Sequence, residues 1–283
     1  MTHAILLISC PDHRGITAAI TQYVYDHNGN ILHAEQHTDE KENVFFMRIE
    51  WSMEGFDLGQ DEIEGNFRTV AEKFSMKWKL YFTDRLPRVA VFASKHLHCL
   101  YDMLYRYKSG QFRCEIPLII SNHPDAGSVA DVFGINFSEI GITPAKKREQ
   151  EKKQLQILEQ ENIDTIIFAR YMQIVGDEFI DKYENNIVNI HHSFLPAFAG
   201  KEPYLQAYQK GVKIIGATSH YVTGELDTGP IIEQDTVRIS HKDSVEDLVR
   251  KGEDLERVVL SRAVRWHLER KILSYNNKTI VFD

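Results

Sequence analysis

The sequence predicts an α/β protein in two parts: a small βαββαβ domain, then a larger open, mainly parallel sheet with helices on both faces. Three observations carry this. Residues 3–82 alternate strand-length apolar runs with helical periodicity in the order βαββαβ. The short segment Asp84-Arg85-Leu86-Pro87 then reads as a linker. Beyond it strands and helices alternate, as βαβ units do. We place the two domains at residues 1–84 and 85–283.

His3 to Ser9 reads as a buried strand, and Pro11-Asp12-His13-Arg14-Gly15 as a turn. Ile16, Ala19, Ile20, Tyr23 and Val24 then recur at helical spacing, and the helix stops near Asn28-Gly29, with glycine suited to a left-handed cap. Ile31 to Thr38 and Val44 to Trp51 are strands around a charged turn, Phe56 to Phe74 a helix, and Lys77 to Phe82 a strand. In the second part, strands are expected at Arg88 to Ala93, Ile116 to Ser121, Ile163 to Ala169, Asn186 to Ile190, Lys213 to Val222 and Ile231 to Ile239. Helices are expected at Leu97 to Tyr107, Ser128 to Phe133, Lys146 to Glu161 and Tyr204 to Lys210, with a long one from Ser244, its N-cap, to Arg270. Two short strand-like pieces close the chain.

A net charge of −8 with interspersed signs argues against a nucleic-acid footprint, and no apolar run approaches membrane-spanning length. The basic run Lys146-Lys147-Arg148 is followed by acids and reads as a solvated helix face with i,i+4 pairs. Cys10, Cys99 and Cys114 are odd in number and lack paired spacing, so they read as reduced core thiols of a cytoplasmic protein.

The chemistry gathers around Val188-Asn189-Ile190-His191-His192-Ser193-Phe194-Leu195-Pro196, an apolar run ending in an amide and two imidazoles. Strand alternation turns Asn189 and His191 to one face and His192 to the other. An amide beside an imidazole can hold a carbonyl and move a proton. Asp227, in the acidic bend Glu225-Leu226-Asp227-Thr228-Gly229-Pro230, offers the orienting carboxylate. A strand ending in a polar loop is the bland alternative. Metal binding by His191, His192, His220 and Asp227 is the chemical rival, without H-E-x-x-H or paired cysteines to support it. No G-x-S-x-G elbow is present. Two further polar loops leave strand ends, Asn122-His123-Pro124-Asp125 and Arg170-Tyr171-Met172-Gln173. Ligands of open α/β sheets bind at such ends. Met172, Ile174 and Val175 suit either core at the strand exit or one wall of a slot for a flat ring.

At these residues the chain resembles the folate-dependent formyltransferases. Asn189-Ile190-His191 with Asp227 is similar to their Asn-x-His…Asp signature. The stretches His191 to Phe198 and Gly216 to Val222 resemble the branch of the formyltetrahydrofolate deformylases. Cys10-Pro11-Asp12-His13-Arg14-Gly15-Ile16, with Gly29-Asn30-Ile31, resembles an ACT regulatory domain. The resemblance implies a ferredoxin-like ACT domain followed by a Rossmann-like formyltransferase domain. It implies hydrolysis of 10-formyltetrahydrofolate to formate and tetrahydrofolate, supplying formate for purine biosynthesis and balancing the one-carbon pool.

By the same resemblance, Asn189 and His191 hold the formyl oxygen, and Asp227 pairs with His191 and orders or deprotonates the water. Met172, Gln173, Ile174 and Val175, with Gly224, Glu225 and Leu226, contact the pterin. Folate is the substrate, and no cofactor or metal is expected. The partners implied are the folate, an amino-acid effector at the ACT domain and further copies of the chain in a homo-oligomer, with no nucleic acid or membrane. The alternative is a transferase acting on an amine such as glycinamide ribonucleotide. Its kind is expected to carry a glycine-rich phosphate loop after the first strand of the sheet. Here that position reads Ala93-Ser94-Lys95-His96-Leu97-His98-Cys99, with no glycine. A sugar-amine formyltransferase and a regulatory module with a degenerate catalytic domain are weaker alternatives, the latter opposed by intact Asn189, His191 and Asp227. His192, standing where the transferases are expected to carry proline, is left without a role.

Overall fold

The structure, a computed structural model, describes residues 1–197 and 203–283. Phe198, part of the resemblance above, lies outside the described residues. The described residues divide into two compact units.

The first unit holds 1–86 together with 270–273 and 280–283. Its elements are β1 (His3–Pro11), α1 (Ile16–Asp26), β2 (Asn30–Asp39), β3 (Val44–Ser52), α2 (Gln60–Lys73) and β4 (Lys77–Phe82). The strands form an antiparallel sheet in the order β2-β3-β1-β4, as a βαββαβ chain requires. Alternation along β1 and β3 sends Leu6, Ile8, Met47 and Ile49 into one core with Ile20, Val24, Ile63 and Phe67 of the helices. Ile5, Leu7 and Phe46, on the opposite face, are buried too. On that face Arg48 Nε donates to the carbonyl of Arg270 (3.1 Å), and the Arg270 guanidinium lies 4.4 Å from the Tyr81 ring centroid.

Two local expectations are corrected. The left-handed residue after α1 is Asn28 (φ 59), not Gly29. Gly29 is needed for close approach, because a Cβ there would lie 2.5 Å from Val24 Cγ1. Helix α2 starts at Gln60 rather than Phe56. The chain first turns through Gly55 (φ 77), and Glu62 then accepts from the Gly59 N–H to cap the helix.

The second unit spans 87–269 and 274–279. In chain order it contains β5 (Arg88–Ala93), α3 (His98–Lys108), β6 (Glu115–Ser121), α4 (Ala126–Phe133), β7 (Asn136–Glu139), α5 (Lys147–Gln160), β8 (Thr165–Ala169), α6 (Asp177–Lys182), β9 (Ile187–His191), α7 (Pro203–Lys210), β10 (Ile214–Tyr221), β11 (Ile231–Arg238) and α8 (Val245–Leu268). The chain ends in a hairpin, β12 (Ile272–Tyr275) and β13 (Lys278–Val281). The large sheet runs β11-β10-β9-β8-β5-β6-β7. It is parallel from β9 to β7, while β10 and β11 join antiparallel. The strand β7 and helix α6 were not foreseen, being too short for a periodic signal.

Leu155 and Leu158 of α5 and Phe179 of α6 share a core with Phe92 and Phe168 on one face of the sheet. Helix α8 packs against β9, β10, β11 and α3. Its N-cap is Ser244, which accepts from the Asp247 N–H. On α5, Lys147 pairs with Glu151 at i,i+4. The three cysteines are free and buried. No helix among the described residues is long and apolar enough to cross a membrane.

Candidate active site

Strand β9 carries Asn189 and His191, and its antiparallel pairing with β10 sets His220 directly across from Asn189. Cross-strand neighbours have touching side chains. Asn189 Nδ2 lies 3.2 Å from His220 Nε2, and His220 Nδ1 lies 2.8 Å from the carbonyl of its neighbour Tyr221. A carbonyl only accepts, so Nδ1 carries a proton, and Nε2 of the neutral ring accepts an N–H from Asn189.

The chain leaves β10 beside the start of β9, where Val222 N donates to Ile187 O, and turns back along the face. Asp227 adopts a left-handed backbone (φ 57), which aspartate tolerates better than most residues. Its Oδ1 reaches 3.3 Å from His191 Nδ1 and 3.7 Å from His220 Nε2. The turn closes through Gly229, where a Cβ would lie 1.8 Å from Tyr221 O. The hydrogen bond with His191, and then the neighbouring His220 ring, hold the Asp227 carboxyl well below the usual carboxylate range, against the opposing effect of burial. His191 Nε2 is buried without a hydrogen-bond partner among the described residues. With Nδ1 turned to Asp227, it is the nitrogen left for a reacting group.

These groups open on a cavity of about 300 Å³. Met172, Gln173, Ile174 and Val175 line one side, Gly224, Glu225 and Leu226 another, and Asn189, His191 and Asp227 the polar end. Met172, Ile174 and Leu226 are exposed, an apolar rim able to cover a flat ring. Asn122 and His123 are not part of its lining. Asn122 instead accepts from the Ser94 hydroxyl (2.6 Å), which accepts in turn from Met172 N, tying the loops after β5, β6 and β8 together.

Sequence reasoning missed His220 as a partner of Asn189 and Asp227. In the sequence His220 reads only as a rival metal ligand, and only the β9–β10 register reveals the pairing. His192 also differs from expectation. Strand β9 ends at His191, so alternation stops there, and His192 turns into the same cavity with its ring centroid 5.1 Å from that of His191. The following loop is pinned by Thr218, whose hydroxyl donates to Ser193 O and accepts from Leu195 N.

Behind His192 lies a buried charge cluster. Glu256 of α8 is fully buried; its Oε2 lies 2.8 Å from His98 Nε2 and 3.4 Å from Arg170 Nε, and its Oε1 accepts from Tyr204 (2.5 Å). Gly252, one turn earlier on α8, makes room: a Cβ there would meet the Tyr204 hydroxyl at 2.1 Å. Burial works to raise the Glu256 carboxyl, but the His98 hydrogen bond and the Arg170 charge prevail and keep it below its ordinary value. His98, Cys99 and Glu256 hold their ligand atoms within 4.8 Å of one another. The Arg170 guanidinium on the same carboxylate and a thiol raised by burial fit an ion-paired cluster better than a cation site.

Comparison with known proteins places this geometry. The formyl transferase family profile matches residues 87–264, and the ACT domain profile matches 4–64. Fold and site together therefore define a formyl transferase domain preceded by an ACT domain. A formyltetrahydrofolate deformylase of Synechocystis sp. is 54% identical over 99% of this chain and 98% of its own. The crystal structure of a formyltetrahydrofolate deformylase from Pseudomonas syringae pv. tomato is 42% identical, covers 100% of this chain and 95% of its own, and has a TM-score of 0.98. Glycinamide ribonucleotide transformylase 1 from Symbiobacterium toebii is more distant, at 30% identity, 72% of this chain, 98% of its own and a TM-score of 0.67. The chain belongs to the formyl transferase family, in its formyltetrahydrofolate deformylase branch.

His192 gives the site a measurable signature. Burial, then the nearby Arg170 charge, pushes its pKa from 6.5 down to about 3. The unfolded chain takes up this proton near its ordinary pKa, while the folded chain takes it up only near the depressed one. The stability it contributes is therefore complete above about pH 6.5 and lost as pH falls toward 3. By about pH 5 the loss amounts to roughly 2 kcal/mol. Melting curves of the parent protein and His192→Asn at about pH 7 and pH 5 are expected to show a smaller drop in the variant. Equal drops would mean that His192 is not held neutral.

Proposed function

We propose that this chain hydrolyses 10-formyltetrahydrofolate to formate and tetrahydrofolate, and that Asn189, His191 and Asp227 carry the reaction. The observation that carries the reading is the joining of all three, with His220, at the polar end of an apolar-walled cavity. The 54% identical relative bearing the deformylase name supports it. The pterin lies between the Met172–Val175 side and the Gly224–Leu226 side. The second N–H of Asn189 and protonated His191, through Nε2, donate to the formyl oxygen. Preorganised donors of this kind are worth about 3–4 kcal/mol each to a developing oxyanion.

Asp227 draws a proton from the water as its oxygen bonds to the formyl carbon, and the carbonyl electron pair moves to the held oxygen. The pair returns, the bond to N10 breaks, and His191 delivers a proton to that nitrogen. Asp227 then passes its proton back to His191. Water, folate and these side chains balance the reaction without a cofactor.

Two features favour water over an amine acceptor. The segment Ser94 to Leu97 between β5 and α3 has no glycine to cradle a phosphate. The His98 imidazole at the start of α3 is engaged by the buried Glu256 carboxylate and is not free to take one. We further assign residues 1–84 as a regulatory domain that binds an amino acid and associates with its copy in a cytoplasmic homo-oligomer. The ACT match supports the amino-acid part, and the resemblance suggests glycine and methionine as opposing effectors.

Purified protein given 10-formyltetrahydrofolate alone is expected to release equal amounts of formate and tetrahydrofolate. Turnover that begins only after glycinamide ribonucleotide is added would replace this reading with a transferase. Asp227→Asn is expected to lose at least about a thousandfold in kcat while still binding folate; near-normal turnover would remove Asp227 from the mechanism. Adding glycine or methionine is expected to change turnover in opposite directions, and calorimetry showing neither amino acid to bind would refute the effector assignment.

A further inference from the structure

The turn that carries Asp227 is held by two hydrogen bonds from a part of the chain remote in sequence. The amide of Asn277 donates to Thr228 O at 2.8 Å, and the hydroxyl of Thr279 donates to Ile231 O at 2.6 Å. They bracket Gly229 and Pro230 on the C-terminal side of the carboxylate. Within the turn, Tyr221 N donates to Pro230 O at 2.9 Å, and the Thr223 and Thr228 hydroxyls donate to Glu225 O at 3.3 and 3.2 Å, so the side-chain bonds nearest Asp227 are the long ones. Glu225 and Leu226, before Asp227, are exposed.

The donors sit on a stiff support. Asn276 (φ 43) and Asn277 (φ 59) are both left-handed and form the two-residue link between β12 and β13. That is the backbone of a tight primed turn, for which asparagine is among the best residues. The tip belongs to the same unit as the turn it contacts.

We propose that Asn277 and Thr279 are positioning residues for Asp227: the tip of the C-terminal hairpin fixes the backbone beyond the carboxylate and so sets its approach to His191. The proposal rests on the hydrolytic reading above. The contact to be preserved is the 3.3 Å separation of Asp227 Oδ1 from His191 Nδ1, and displacements of about 1 Å at such contacts can cost 10²-fold in rate. The bracketed segment, Gly229 and Pro230, includes neither pterin wall, Met172–Val175 or Gly224–Leu226. Its loosening therefore falls on the chemical step more than on folate binding.

The test compares the full-length parent with the double variant Asn277→Gly, Thr279→Val. Glycine keeps the left-handed tip and deletes the amide; valine keeps the shape of threonine and deletes the hydroxyl. The expected result is a fall in kcat of roughly tenfold or more, with KM for 10-formyltetrahydrofolate within about twofold of the parent. A kcat within twofold of the parent would overturn the proposal, as would losses shared equally between kcat and KM, which mark a damaged folate wall. If the double variant does not fold, Thr279→Val and Thr279→Ser are compared. Loss of kcat in the valine variant with recovery in the serine variant supports the proposal, and equal kcat in both overturns it. A parent without acceptor-free hydrolysis fails the functional reading instead, so the two failures are distinguishable.

Discussion

The site depends on the reversal of strand direction between β9 and β10. Parallel strands would place Asn189 and His220 in a slanted, offset register. The antiparallel pair instead puts His220 opposite Asn189 and returns the chain beside Ile187. From there a left-handed residue carries the Asp227 carboxylate back to His191. One change of direction thus assembles an amide, two imidazoles and a carboxylate from segments that are far apart in sequence.

His191 at the end of the strand and His192 just beyond it then sit between charges of different standing. Asp227 is half-buried and faces the cavity, with its carboxylate on His191 Nδ1. Glu256 is fully buried and already committed to His98, Arg170 and Tyr204. A buried carboxylate with one partner removed would cost several kcal/mol, so the cluster stands or falls as a set. Arg170, left-handed at the exit of β8, brings its positive charge close to His192 and disfavours a second cation there. Neighbouring residues of the same type are thereby set apart: His191 turns Nδ1 to the Asp227 carboxylate, and His192 is held neutral.

Much of this was legible in the sequence. The alternation of strand and helix predicts the sheet, and the β4, β5 and α8 boundaries are marked by Pro87, apolar runs and the Ser244 cap. The residue types of the site were legible as well, because Asn189, His191 and Asp227 lie in distinctive local stretches. What escaped depends on pairing rather than pattern. Nothing local says which residue of β10 meets Asn189, so His220 was assigned to a rival explanation. Alternation misplaced His192, since it holds only while a strand continues, and the strand stops one residue earlier. Glu256 reads in sequence as one more acid on a charged helix; only its packing against Tyr204, allowed by Gly252, shows it to be buried.

The preference for water follows from the same buried cluster. A phosphate-bearing acceptor needs free N–H groups and positive potential at the start of the helix after β5. The first helical residue here, His98, is taken by Glu256, and the Arg170 charge is balanced by the same carboxylate. The His98 imidazole and the Arg170 guanidinium are therefore engaged from within, by a fully buried carboxylate, while Lys95 of the same segment stays exposed. A neutral water meets no such obstacle and needs only the donors and acceptors that line the cavity.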